Sequence, residues 1–110
     1  MKTKKRKALE KAGWRVGTAD DFLNLSEEES AFLDLKLALA RELRTRRVKK
    51  RWTQTHVAQR LSSSQSRVAK MEAADATVSI DLLVRGLLAL GLTRKQIARV
   101  VARSPESRDA

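Results

Sequence analysis

The chain has 110 residues, 42% of them hydrophobic and 34% charged, with a formal net charge of +11, which bounds it to one domain with a modest core and tails to spare. No apolar run approaches the ~18 residues of a membrane span, and no apolar stretch follows the basic start as a secretory signal requires; the expected location is cytoplasmic. The absence of cysteine and the single histidine, His56, exclude disulfides and leave neither a zinc ligand cluster nor a nucleophile–base pair, so no catalytic residue, metal or cofactor is expected.

Residues 1–11 carry six Lys/Arg against one Glu and read as a basic disordered arm, either a solvated tail or an arm that follows phosphates. Residues 12–34 form an N-terminal extension of opposite sign, with Arg15 against six acids. Thr18 opens a short helix there, Ala19 to Asn24, whose Asp20 and Asp21 complement the helix dipole. Ser26-Glu27-Glu28-Glu29 is a capping box, and it starts a long helix, roughly Glu27 to Lys50. On that helix Phe32, Leu35, Leu39 and Leu43 form one apolar stripe, and Leu33, Leu37 and Ala40 a second beside it. Such a face is wider than one packing contact requires. Either Trp14, Phe22, Leu23 and Leu25 fold back over it, or it serves a dimer or a protein partner.

Residues 35–103 are expected to be the DNA-binding domain, and four shorter helices complete it. Thr53 caps a helix to Leu61, Ser64 caps Gln65 to Ala73, Ser79 caps Ile80 to Leu90, and Thr93 caps Arg94 to about Arg103. Gly91 stands at the C′ position of the fourth helix, and Pro105 stops the fifth. Residues 104–110 are left as a disordered tail.

The strongest positive region, residues 35–75, has eleven basic residues against three acidic ones, and it contains the two shortest helices. In the first of these Val57, Ala58 and Leu61 point inward, and the small Ala58 permits a close, steep crossing. Val68 and Met71 are the inward residues of the second. Its other face is Gln65, Ser66, Arg67 and Lys70, behind the capping Ser64. All can donate hydrogen bonds and none is acidic, which suits base edges in a major groove. Arg41, Arg44, Arg51 and Arg60 are candidates for phosphate contact. Trp52 is expected to seal the first helix against the second, and His56 to be solvated or near a phosphate.

The run Thr-Gln-x-x-Val-Ala-x-x-Leu-x-x-Ser-Gln-Ser-x-Val-x-x-Met-Glu, Thr53 to Glu72, resembles the Cro/phage-repressor (XRE-type) helix-turn-helix family over about Leu39 to Leu90. The resemblance implies an all-α, five-helix lambda-repressor-like DNA-binding domain, here with a helical N-terminal extension. It implies that Gln65 to Ala73 is the recognition helix, that Gln54 contacts phosphate, and that Glu72 pairs with Arg47. The fuller string Ser-Ser-Gln-Ser-Arg-Val-Ala-Lys-Met-Glu, with Val78-Ser79-Ile80-Asp81-Leu82-Leu83, is similar to HigA-like antitoxins and small autorepressors. Two positions depart from the family: Ser62 where a turn glycine is usual, and Ala73-Ala74 where Asn-Gly often follows the glutamate. A left-handed conformation at either costs roughly 1 kcal/mol without glycine.

The resulting expectation is a sequence-specific repressor that binds double-stranded DNA as a homodimer on a palindromic operator, since one recognition helix reaches few base pairs. Dimer contacts are expected from Ile80 to Arg103, where Leu82, Leu83, Leu87, Leu88, Ile97, Val100 and Val101 exceed the needs of two short helices, or from the long helix. The alternative is a type II antitoxin of HigA type, whose acidic segment Asp20 to Asp34, with Trp14, Phe22 and Leu25, would face a small basic toxin. An RNA or ribosome partner is disfavoured, because two Trp and two Phe make no stacking platform.

Overall fold

A computed structural model describes residues 26–103. The basic arm, the helix expected at Ala19 to Asn24, the fold-back of Trp14, Phe22, Leu23 and Leu25, the Pro105 stop and the C-terminal tail all lie outside the described residues. Those described form five helices and no strand: α1 (Glu27–Lys49), α2 (Gln54–Arg60), α3 (Gln65–Glu72), α4 (Ile80–Ala89) and α5 (Arg94–Ala102).

Each helix starts on a hydroxyl side chain in extended conformation. Ser26, Thr53, Ser64, Ser79 and Thr93 each accept a backbone N–H from the first turn that follows, satisfying a donor the helix itself leaves orphaned. At Ser26 the box closes both ways: its Oγ accepts the Glu29 N–H at 3.1 Å, and Glu29 Oε1 accepts the Ser26 N–H at 2.9 Å. That backbone bond, with the serine hydroxyl second, holds the Glu29 carboxyl below its ordinary range.

Four of the five helices also end alike. The C′ residue is left-handed in each: Arg51 (φ 61°), Ser62 (φ 53°), Ala74 (φ 54°) and Gly91 (φ 98°). The pair of closing bonds recurs too: Arg51 and Trp52 N–H to Val48 and Arg47 O, Ser62 and Ser63 to Gln59 and Ala58, Ala74 and Asp75 to Met71 and Lys70, Gly91 and Leu92 to Leu88 and Leu87. This is the Schellman ending, which favours glycine at C′. Only one of the four has it.

The core is built where the four short helices converge on the C-terminal two thirds of α1. Leu39, Leu43, Val57, Val68, Met71, Leu83 and Leu87 are fully buried, and Val100 brings α5 into the same cluster. Gly86, inside α4, marks the closest approach: a Cβ there would lie 2.8 Å from Met71 Cε. Trp52 and Leu61 pack against the cluster from its edge.

Two expectations change. Phe32, placed in the inward stripe of α1, is 49% exposed, whereas its neighbour Leu33, in the second stripe, is buried. At this end of α1 the buried side is therefore the one the second stripe marks. In the same stretch Asp34 and Lys36 are buried, which periodicity did not signal. Burial pushes the Lys36 ammonium down, and the charge of Asp75 works against that. In α4 and α5 the apolar surplus is absorbed: Leu83, Leu87 and Val100 are buried, Leu82, Ile97 and Val101 pack at the edge, and only Leu88 is largely exposed, at 45%.

The left-handed residues give a sharp comparison. Ser62→Gly removes the Cβ penalty at an exposed site and should raise unfolding stability by about 1 kcal/mol. Ala74→Gly relieves the same strain but gives up a buried methyl worth about 0.8 kcal/mol, so it should be near neutral. Urea midpoints of the two variants check this; equal shifts would show that the methyl at Ala74 contributes nothing.

Asp75, in the α3–α4 loop, accepts from Thr77 Oγ1 (2.7 Å) and Thr77 N–H (2.9 Å). The hydroxyl bond, then the backbone bond, hold its carboxyl below the ordinary range, with Lys70 and Lys36 adding to the effect. A depressed carboxylate stabilises the fold above its unfolded value, about 3.9, and that stabilisation fades as pH falls through the folded value. Asp75→Asn should therefore flatten the acid side of a melting-temperature profile and leave its shape above pH 6 unchanged.

Candidate nucleic-acid interface

The sequence of α3 divides it into two faces, and the fold keeps them apart. Val68 and Met71 are fully buried, while Gln65, Ser66, Arg67 and Lys70 are exposed. Ser64, also exposed, accepts the Arg67 N–H at 3.1 Å. The tight passage from α2 comes from the Ser62–Ser63 turn, in which the Ser63 N–H bonds Ala58 O at 2.8 Å. A short, acid-free polar ridge thus projects from the domain at the start of α3.

Behind this ridge lies a chain of side-chain hydrogen bonds. Arg47 Nε and Nη2 donate to the two Glu72 oxygens at 2.5 and 3.1 Å, and Arg47 Nη1 donates to the Trp52 carbonyl at 3.0 Å. Gln54 Nε2 donates to Glu72 Oε1 at 3.1 Å, and Gln65 Nε2 donates to Gln54 Oε1 at 2.6 Å. One carboxylate therefore joins α1, the α1–α2 loop, α2 and α3. The Arg47 and Glu72 side chains keep only 15% and 5% exposure. Hydrogen bonding to Glu72 raises the Arg47 guanidinium above its ordinary value, against the opposing effect of burial.

The charge of Glu72 also orders the chain. An ionised carboxylate only accepts, so Gln54 must turn its NH₂ toward it and its carbonyl toward Gln65. Gln65 must then donate to Gln54, which leaves its Oε1 and its second N–H facing outward. Those two groups are the ones that pair with the N6 and N7 edge of adenine.

The predicted phosphate residues fall in two groups. Arg41, Arg44, Arg51 and Arg60 are exposed, but Arg60 is also held: its guanidinium lies 4.8 Å over the Trp52 ring, with Lys50 Nζ at 5.0 Å. The His56 ring sits 4.7 Å from the same indole, tilted by 52°. Trp52 thus seals the α1–α2 corner and restrains three groups that carry or can take positive charge. The spacing Trp52, His56, Arg60 was visible as a repeat of four, yet a tryptophan ahead of the helix gave no sign that it would lie along it. Gln54, expected at a phosphate, has both ends of its amide engaged within the domain. Among the described residues no group of three His, Asp or Glu is placed to hold a metal, and no helix is long and apolar enough to cross a membrane.

Removing Glu72 should be costly, because Arg47 would stay mostly buried without its counter-charge. Glu72→Ala is expected to destabilise by about 3 kcal/mol or more, against less than about 1 kcal/mol for Arg44→Ala on the exposed surface. Paired denaturant titrations test this; similar values would mean that the pair is not structural.

A family model described as a helix-turn-helix domain matches residues 38–100. A search of curated proteins and a search of solved structures each find no match. The matched span runs from the middle of α1 to Val100 in α5 and includes the whole Arg47–Glu72–Gln54–Gln65 chain. With more than half of its length matched and a polar helix presented over a tight turn, the chain belongs to the helix-turn-helix domain family and carries a DNA-binding domain of that kind.

Proposed function

We propose that this protein is a sequence-specific transcriptional repressor and autoregulator that reads the major groove with the N-terminal half of α3. The observation that carries the reading is the ordered chain of bonds from Gln65 through Gln54 to Glu72, which presets the donor and acceptor that Gln65 turns outward. A preset side chain loses less rotamer freedom on binding than a free one. Ser64, Ser66, Arg67 and Lys70 complete the base-reading face, with Arg67 or Lys70 suited to guanine. Arg44, Arg51 and Arg60 supply phosphate contacts, which position the domain without reading sequence. Gln54 acts chiefly by holding Gln65.

Five such side chains cover only a few base pairs, so useful discrimination calls for two copies on a two-fold symmetric operator. The exposed Leu88 on α4 is the apolar residue available to such a dimer from the C-terminal helices. A second reading, an antitoxin of HigA type that also represses its own operon, is favoured by the half-exposed Phe32 beside the exposed acidic turn Glu27–Glu29. A small basic toxin would find both an anchor and opposite charge there.

Selection of duplexes from a random pool, followed by titration of variants, tests the proposal. Gln65→Ala and Arg67→Ala should each relax preference at one position by about 1–3 kcal/mol, whereas Arg60→Ala should weaken all sequences alike and lower the salt slope. Unchanged sequence choice in Gln65→Ala would remove α3 as the reading element.

A further inference from the structure

α5 is basic on the side that α3 does not use. It packs on α1 and α4, and its turned-out residues include Arg94, Lys95, Arg99 and Arg103, with no acid in the helix. Between this helix and α1 lies an open cavity of about 460 Å³, lined by Arg46, Gln96, Arg99, Ala102 and Arg103. We infer that this cavity is a second anion site, and that its ligand is a phosphate-bearing compound or backbone.

Three features fit such a ligand. The guanidiniums are braced: Arg46 Nε is held by Glu42 Oε2 at 2.7 Å, Arg103 Nη2 lies 3.6 Å from Glu42 Oε1, and Arg103 Nε donates to Arg99 O at 3.3 Å. Bonding through Nε of Arg46, and through Nε and Nη2 of Arg103, leaves both Nη groups of Arg46 and Nη1 of Arg103 for contacts with phosphate oxygens. Gln96 adds a polar edge: its Oε1 accepts the Thr93 N–H at 2.8 Å, so its NH₂ is the end it offers the cavity. Third, Glu42 answers only part of the charge, one carboxylate against three arginines. A floor of Ala102 leaves room for a group of pyrophosphate size.

Two double variants of equal charge separate a site from a diffuse field. Inorganic pyrophosphate is titrated calorimetrically into the full chain, into Arg99→Ala/Arg103→Ala, and into Arg94→Ala/Lys95→Ala, whose targets lie on the same helix outside the cavity lining. Saturable binding should fall by about tenfold or more in the first variant and by no more than about twofold in the second. Equal weakening in both, or no saturable binding to the full chain, would overturn the site. Pyrophosphate added to the unaltered chain should also shift the amide resonances of Arg99 and Ala102; their failure to move would likewise overturn it. Titrating a selected duplex then identifies the source. A loss of DNA affinity confined to Arg99→Ala/Arg103→Ala assigns the phosphate to a DNA backbone, and unchanged affinity assigns it to a free phosphate compound.

Discussion

The Arg47–Glu72 ion pair is the constraint on which the exposed polar face of α3 depends. Both partners are mostly withdrawn from water, so neither tolerates loss of the other. The pair is worth more as geometry than as stability. Its guanidinium reaches the α1–α2 loop and its carboxylate reaches α2, so three helices and a loop meet on four hydrogen bonds. Hydrophobic burial is non-directional and by itself does not fix α3 against α1. A bidentate pair does, because each of its two bonds penalises the shift that would favour the other. The position of Gln65 is inherited from this joint.

Charge is distributed to match. Three carboxylates of the domain are set behind the surface or against partners: Glu72 under Arg47, Glu42 under Arg46, Asp75 against Thr77; Asp81 on α4 stays exposed beside Arg85. Arg41 and Arg44 of α1, Arg60 of α2 and the polar residues Gln65, Ser66, Arg67 and Lys70 of α3 are left facing solvent. A polyanion approaching the domain therefore meets positive charge first, and the acids act as fixed internal struts. Trp52 performs a similar task for Lys50 and Arg60, holding their charges at one corner at the modest cost of a half-exposed indole.

Much of this was legible in the sequence, for identifiable reasons. Ser26, Thr53, Ser64, Ser79 and Thr93 are caps by local chemistry, which needs no tertiary information, and the split of α3 into Val68 and Met71 against Gln65, Ser66, Arg67 and Lys70 follows from helical period alone. Ser62 and Ala74 could be marked as strained positions because a glycine is common there. Arg51 could not, since nothing local distinguishes it from Lys49 or Lys50. Phe32 was misplaced because two apolar stripes run side by side on α1 and periodicity does not say which of them is buried at a given turn; at this end it is that of Leu33. The cavity beside Arg99 and Arg103 was also hidden. It exists only because α5 returns to α1 some fifty residues later, and a run of basic residues reads as a solvated face until its partner is known.

The three side-chain-bearing residues at left-handed helix ends have a consequence beyond the turns themselves. At Arg51 and Ser62, both exposed, the backbone strain is avoidable, so the domain sits below the stability its own architecture permits. A ligand that binds only the folded form draws such a protein away from its unfolded state by mass action. Proteases in the cell meet chiefly the transiently opened chains. For a DNA-binding domain poised in this way, molecules resting on DNA outlive those that are not, and the concentration of the protein becomes a record of how many of its sites are filled.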